Sequence, residues 1–289
     1  MPQTTSKAAM TSGRRLGRLT ARGALRVPEI TAIFWVIKAL STAMGESTSD
    51  YSVHAMAPQL AVVLGFIGFL IAMAVQFSRQ RYVAWAYWLA VVGVGVFGTM
   101  AADVLHVGFG VPYIASSLLY AVVLAAVFYS WQRTEKTLSI HSIDTDRREA
   151  FYWAAVVATF AMGTAVGDLT ATTFHLGYFV SGVLFAAVIA VPAVGYFRFG
   201  WNPVLSFWIA YVATRPLGAS FADWMGKPRS VGGLGWGDGT VALALTFAIV
   251  CLVAYLTITR RDVQAADRAA RHDRESRRLR LDPTSETVD

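Results

Sequence analysis

Phe151-Tyr152-Trp153-Ala154-Ala155-Val156-Val157-Ala158-Thr159-Phe160-Ala161-Met162-Gly163-Thr164-Ala165-Val166-Gly167-Asp168 is the stretch that decides the fold. Its skeleton, a Trp, nine residues, a Gly, four residues and an Asp, occurs four times: Trp35/Gly45/Asp50, Trp88/Gly98/Asp103, Trp153/Gly163/Asp168 and Trp208/Gly218/Asp223. An aromatic ring precedes each Trp (Phe34, Tyr87, Tyr152, Phe207). Chance placement of these residue types gives on the order of 0.03 matches in the whole chain, so the skeleton is an internal repeat. The intervals between the tryptophans are 53, 65 and 55 residues, which pairs copies one with two and three with four around a longer middle segment.

With 55% hydrophobic and 15% charged residues and a mean hydropathy of +0.49, the 289-residue chain is too apolar for a soluble domain of its size. A bilayer-spanning helix needs about 20 mainly apolar residues. Stretches near 30–49, 57–77, 83–104, 111–131, 150–170, 177–197, 203–224 and 239–259 qualify. The expected fold is therefore all-α and integral to the membrane. It has eight transmembrane helices, made of four parallel two-helix repeats with internal pseudosymmetry.

Twenty-one of the 25 Lys and Arg residues fall on the side that holds both termini in such a topology, which places both termini in the cytoplasm by the positive-inside rule. Lys227 and Arg229 fall on the other side, and Lys38 and Arg215 fall within helices. The topology accounts for the pI near 9.7 without a nucleic-acid partner. The implied partner is the lipid bilayer, here the cytoplasmic (inner) membrane, and a homo-oligomer is left open.

The expected organisation is a basic cytoplasmic arm (1–27), disordered or lying on the anionic inner surface, a first membrane half (28–131), a cytoplasmic linker (132–149), a second membrane half (150–259) and a charged tail (260–289). Pro28 is expected to open the first helix. The glycine-rich outer loop 225–238 is expected to be the most flexible external connection. Cys251, alone in an apolar run, reads as a small buried hydrophobe, and one cysteine makes no disulfide or thiolate metal site within a chain.

The chain resembles a bacterial family of uncharacterised membrane-anchored proteins built from four copies of a short membrane repeat with a Gly-Asp motif. The resemblance covers about residues 28–259, because all four copies align. The literal Gly-Asp pair stands only at Gly167-Asp168, and Ser49, Ala102 and Ala222 precede the other aspartates. The resemblance implies the fold and leaves the chemistry to the residues.

If the four odd-numbered helices run parallel, Asp50, Asp103, Asp168 and Asp223 share one depth, each about 22 Å along the axis from its Trp. The aromatic pairs then lie at the inner interfacial belt or the lower wall of the membrane. One turn before each Asp stand Glu46, Thr99, Thr164 and Ala219. Clustered carboxylates in hydrocarbon need a positive guest, a proton or a base such as Lys38 or Arg215.

Oxygen ligands suit Mg²⁺, Ca²⁺ or Mn²⁺. His54, His106 and His175, which follow an Asp by four, three and seven residues, would add nitrogen and favour Mn²⁺, Zn²⁺ or Ni²⁺. The first reading is thus a transporter or exporter of small cations with the four aspartates as its central site. No cofactor is expected, and a divalent cation is the substrate. The second reading is an anion or small organic-solute transporter using Lys38 and Arg215, and a third is a non-transporting scaffold or sensor. No nucleophile-and-base pair, phosphate loop or haem motif points to an enzyme.

Overall fold

The computed structural model describes residues 24–264. Most of the expected basic arm (1–23) and of the charged tail (265–289) lies outside the described residues. Eight long helices make up the body among the described residues, with no strand: α1 (Ala32–Ala55), α2 (Pro58–Phe77), α3 (Ala84–Asp103), α4 (Tyr113–Glu135), α5 (Asp146–Asp168), α6 (Gly177–Phe199), α7 (Pro203–Gly226) and α8 (Asp238–Thr259). Local chemistry sets several of their starts. The Thr31 hydroxyl accepts from Phe34 N at 3.3 Å, the Thr145 hydroxyl from Arg148 N at 3.4 Å, and the Asn202 side chain from Val204 N and Leu205 N at 2.9 and 3.1 Å. Pro58 and Pro203 open α2 and α7, where a missing N–H costs nothing. Pro28 does not open α1. It precedes the Thr31 cap, and its carbonyl accepts from Gln264 Nε2 at 3.3 Å.

The odd-numbered helices form a closed inner ring in which α1 packs on α3, α3 on α5, α5 on α7 and α7 back on α1. They meet through equivalent positions at one end: Phe34 against Trp88 (5.7 Å between centroids), Tyr87 against Trp153 (5.5 Å), Tyr152 against Trp208 (6.2 Å) and Phe207 against Trp35 (5.8 Å). Contact between matching residues all round requires the four helices to run in the same direction. The end they form is called here the Trp end and the opposite one the Asp end. Trp88, Trp153 and Trp208 are buried and Trp35 partly so, which makes these rings an aromatic plug inside the bundle and not an interfacial belt.

The repeat glycines bring the same neighbours together halfway up. A Cβ on Gly45 would stand 2.8 Å from the Gly95 carbonyl carbon, one on Gly98 3.0 Å from Phe160 Cβ, one on Gly163 2.4 Å from Arg215 Cγ and one on Gly218 2.0 Å from Thr42 Oγ1. Each glycine thus faces the next helix of the ring. Small residues permit this approach where helices associate by van der Waals packing in lipid.

The even helices lie outside. Each packs on the odd helix that follows it in sequence (α2 on α3, α4 on α5, α6 on α7), and α8 packs on α1. Six helices (α2 to α6 and α8) are long and apolar enough to cross a membrane, which marks a multi-pass membrane protein. In α2, α4, α6 and α8 only 22% of the most apolar window is buried, against 50% in α3 and 67% in α5, so the apolar side chains of the outer helices point away from the protein. α1 and α7 match them in length, 24 residues each, but are too polar to meet the same test.

Cys251 belongs to that outward face. It is exposed on α8 rather than buried, because a peripheral helix is apolar where it meets lipid as well as where it meets protein. A charged, membrane-impermeant maleimide is expected to leave Cys251 unlabelled in intact membranes and to label it fully after SDS denaturation. Rapid labelling of the native protein, read by mass spectrometry, would place this face of α8 in water.

The described residues next to the bundle are packed against it. Leu25, Arg26 and Val27 are buried, with Arg26 N donating to Ile143 O at 3.0 Å and Glu29 N to Asp262 O at 2.8 Å. The middle segment shrinks to 136–145 because α4 and α5 extend into it, and its Ile140 and Ile143 are buried. Glu149, fully buried at the start of α5, accepts from Arg26 Nη1 at 2.6 Å and Gln76 Nε2 at 2.7 Å, which ties the leading segment, α2 and α5 together.

Candidate functional site at the seam of the first and last repeats

Arg215, on α7, occupies the centre of the ring one turn below the aspartates. Its side chain is fully buried. Nη2 donates to Glu46 Oε2 at 2.6 Å and to Thr164 Oγ1 at 2.7 Å, and it also contacts Thr99 Oγ1, while Nη1 lies 3.5 Å from Thr42 O. Glu46, Thr99 and Thr164 are the residues one turn before Asp50, Asp103 and Asp168, and the fourth such position, Ala219, leaves α7 to contribute Arg215 instead. Gly163 makes room for it, since only a residue without a side chain fits against the Arg215 stem. A guanidinium with a planar fork is suited to bridging three helices in this way.

One turn outward, carboxylate oxygens of Glu46, Asp50 and Asp223 lie within 4.8 Å of one another. Glu46 and Asp223 are buried and Asp50 partly buried. The base that meets these acids is Lys227, which follows the C-terminus of α7. Its Nζ contacts Asp50 and lies 3.9 Å from both Asp223 Oδ1 and Asp238 Oδ2. In the sequence Lys227 counts only as an outer-side charge and not as a site residue, although its spacing of four residues from Asp223 is the signal that marks it. Burial works against its ammonium, but the charges of Asp50, Asp223 and Asp238 outweigh burial and raise its pKa above the ordinary lysine value.

The four aspartates are not brought into one ligand group. Asp103 and Asp168 have no ion-pair partner among the described residues. Each is the last residue of its α-helix and leads into a π-helical turn, Val104–Gly108 after Asp103 and Leu169–Thr173 after Asp168. Glu46 and Asp50 are among the charges that act on both. These widened turns are found often at functional sites.

The histidines stand apart from the carboxylates. His106 packs on Tyr113 with centroids 3.5 Å apart, and its Nδ1 lies 2.6 Å from Val111 O, closing the turn after α3. The His54 ring bonds its own helix at Asp50 O, 2.6 Å away. His175 is exposed in left-handed backbone, φ 55°. None of the three joins the group of Glu46, Asp50 and Asp223.

Lys38 is fully buried, with Nζ 4.1 Å from the Phe160 ring centroid and 4.0 Å from that of Tyr211 and no hydrogen-bond partner among the described residues. It lies between the Arg215 centre and the aromatic plug. Among the described residues its Nζ is met by the faces of these two rings.

A family model described as Repeat of Unknown Function (DUF347) matches residues 86–137, 151–200 and 206–262, more than half of the chain. The chain belongs to the DUF347 repeat family. The three matched DUF347 segments correspond to α3–α4, α5–α6 and α7–α8, so the sequence repeat is an odd helix followed by an even one, whereas the tightest packing joins each even helix to the next odd one. α1 and α2 lie outside the matched segments, yet α1 completes the ring with the same Trp, Gly and Asp positions as the DUF347 repeats. Searches among curated proteins and among solved structures each found no match.

Proposed function

We propose that this DUF347 protein transports a small hard cation, with Glu46, Asp50 and Asp223 as the ligands of the substrate and Asp103 and Asp168 beside them. The observation that carries the reading is the convergence of three carboxylates within 4.8 Å at the Asp end of the α1–α7 seam, in a bundle whose other six helices are apolar enough to cross a membrane. Five acids (Glu46, Asp50, Asp103, Asp168 and Asp223) stand against Arg215 and Lys227 in this region, an excess of negative charge that only cations or protons relieve. Oxygen donors without histidine favour Mg²⁺, Ca²⁺ or Mn²⁺ over Zn²⁺ or Ni²⁺.

The two bases required by anion transport are engaged otherwise. Arg215 is held by Glu46 and two threonines, and Lys38 is enclosed by aromatic rings. We further infer four repeats related by internal pseudosymmetry, the Trp end and both termini in the cytoplasm, a bacterial inner membrane as the location, and transport rather than catalysis as the activity. The basic residues concentrated at the Trp-end connections and the termini support the orientation.

The test is cellular metal content in cells that overexpress the protein or its Asp50→Asn/Asp223→Asn variant. Overexpression is expected to change the content of one of Mg²⁺, Ca²⁺ or Mn²⁺ at least severalfold, and the variant to abolish the change at equal membrane abundance. Unchanged content of every cation tested overturns the reading.

A further inference from the structure

The Lys227 ammonium contacts Asp50 and lies 3.9 Å from both Asp223 and Asp238, so that it and a metal ion on Asp50 and Asp223 would draw on the same carboxylates. We propose that Lys227 is a tethered competitor for the cation site, which a substrate ion must displace before it binds Glu46, Asp50 and Asp223. The inference rests on the cation reading above and concerns the regulation of the same site.

The loop that carries Lys227 supports such exchange. Its backbone is stitched to itself and to the end of α7: Leu234 N donates to Trp224 O at 2.7 Å, Gly235 N to Lys227 O at 2.9 Å, Trp236 N to Met225 O at 3.1 Å and Gly237 N to Gly226 O at 3.1 Å. Gly233 lies so close that a Cβ there would stand 2.0 Å from Lys227 O. The loop is thus tied to the end of α7 by its own backbone. The four-carbon side chain of Lys227 is its freer part, with 21% of its surface exposed.

A tethered ammonium has a high local concentration at the acids and carries one positive charge. It therefore excludes monovalent ions more effectively than divalent ones, whose attraction to three carboxylates is about twice as large at the same distance. Asp238 lies outside the group of Glu46, Asp50 and Asp223 and gives the displaced ammonium a second acid to rest on.

Mn²⁺ binding to the purified full chain in detergent, measured by electron paramagnetic resonance of free Mn²⁺, tests the proposal. Lys227→Met and Lys227→Gln are expected to tighten the Kd at least about tenfold and Lys227→Arg to keep it near wild type. A third variant, Lys227→Cys in a Cys251→Ser chain, guards against misfolding. It is expected to bind tightly and to return to weak binding once a methanethiosulfonate reagent attaches an aminoethyl group, whereas a methyl-bearing reagent leaves the tight binding intact. Equal or weaker Mn²⁺ affinity in folded Lys227→Met and Lys227→Gln overturns the competitor while leaving the cation reading in place. Failure of wild type and all variants to bind Mn²⁺, Mg²⁺ or Ca²⁺ at millimolar concentration overturns both.

Discussion

Arg215→Gln is expected to destabilise the protein by about 3–5 kcal/mol, the usual cost of removing one partner from a buried ion pair. The loss has little to do with the intrinsic strength of the pair. Taking away the guanidinium leaves the buried Glu46 carboxylate beside Asp50 and Asp223 with only the Thr99 hydroxyl, 3.5 Å away, to face it from the neighbouring helix. The second substitution separates charge from packing. Glu46→Gln in the Arg215→Gln background removes the orphaned charge and is expected to recover more than half of the lost stability, because two amides can bond to each other and to Thr99 and Thr164. Thermal unfolding in detergent, followed by tryptophan fluorescence, gives the four corners of the cycle. A double variant no more stable than Arg215→Gln would mean that the arginine stem, packed against Gly163, contributes through its shape alone.

The ring was legible because a repeat of fixed internal spacing carries its own geometry. Trp, Gly and Asp at intervals of ten and five residues place three levels at equal heights on each odd helix, and the structure meets that expectation with aromatic contacts at the first level and close helix approach at the second. The third level departs from it. The carboxylates that converge come from α1 and α7, the helices of the first and last copies, which touch only because the ring closes.

Glu46 pairs with Arg215 across 169 residues, and Lys227 reaches Asp50 across 177. No local pattern encodes such contacts. What the sequence does show is that copies one and four deviate most from the repeat: Lys38, Glu46 and Ser47-Thr48-Ser49 in one, Arg215-Pro216 and Lys227 in the other. Those within the helices also make α1 and α7 the two too polar to meet the test for a membrane span, and the two helices become neighbours along one seam. Polar groups that lipid would not tolerate are mutually satisfied there. The outer loop differs from expectation for a related reason. Its five glycines suggest freedom when read in isolation, but Gly233 is needed for close approach to Lys227 O, and Gly232, Gly235 and Gly237 for backbone at positive φ.

The same seam makes the repeat glycine of the last copy sensitive to any added side chain. Gly218→Ala is expected to cost about 1–3 kcal/mol, the range for overpacking a filled interior. Its new methyl group would lie 2.0 Å from Thr42 Oγ1, 2.7 Å from Thr42 Cβ and 2.8 Å from Ala43 N, so α1 and α7 must separate. Separation also strains the Thr42 hydroxyl's bond to Thr214 O at 3.2 Å and moves Glu46 away from Arg215. Gly68→Ala on α2 is the matched control. Nothing lies within 4 Å of a Cβ there, and replacing a mid-helix glycine by alanine adds about 0.5–1 kcal/mol of helix stability. The two substitutions are chemically identical, and helix propensity favours both. Opposite shifts in thermal unfolding would therefore isolate the α1–α7 contact, and a Gly218→Ala protein as stable as Gly68→Ala would exclude the close packing from which the Glu46–Arg215 pair is built. Thr42→Ala added to Gly218→Ala removes the nearest clash but not that with the α1 backbone, so recovery is expected to be partial.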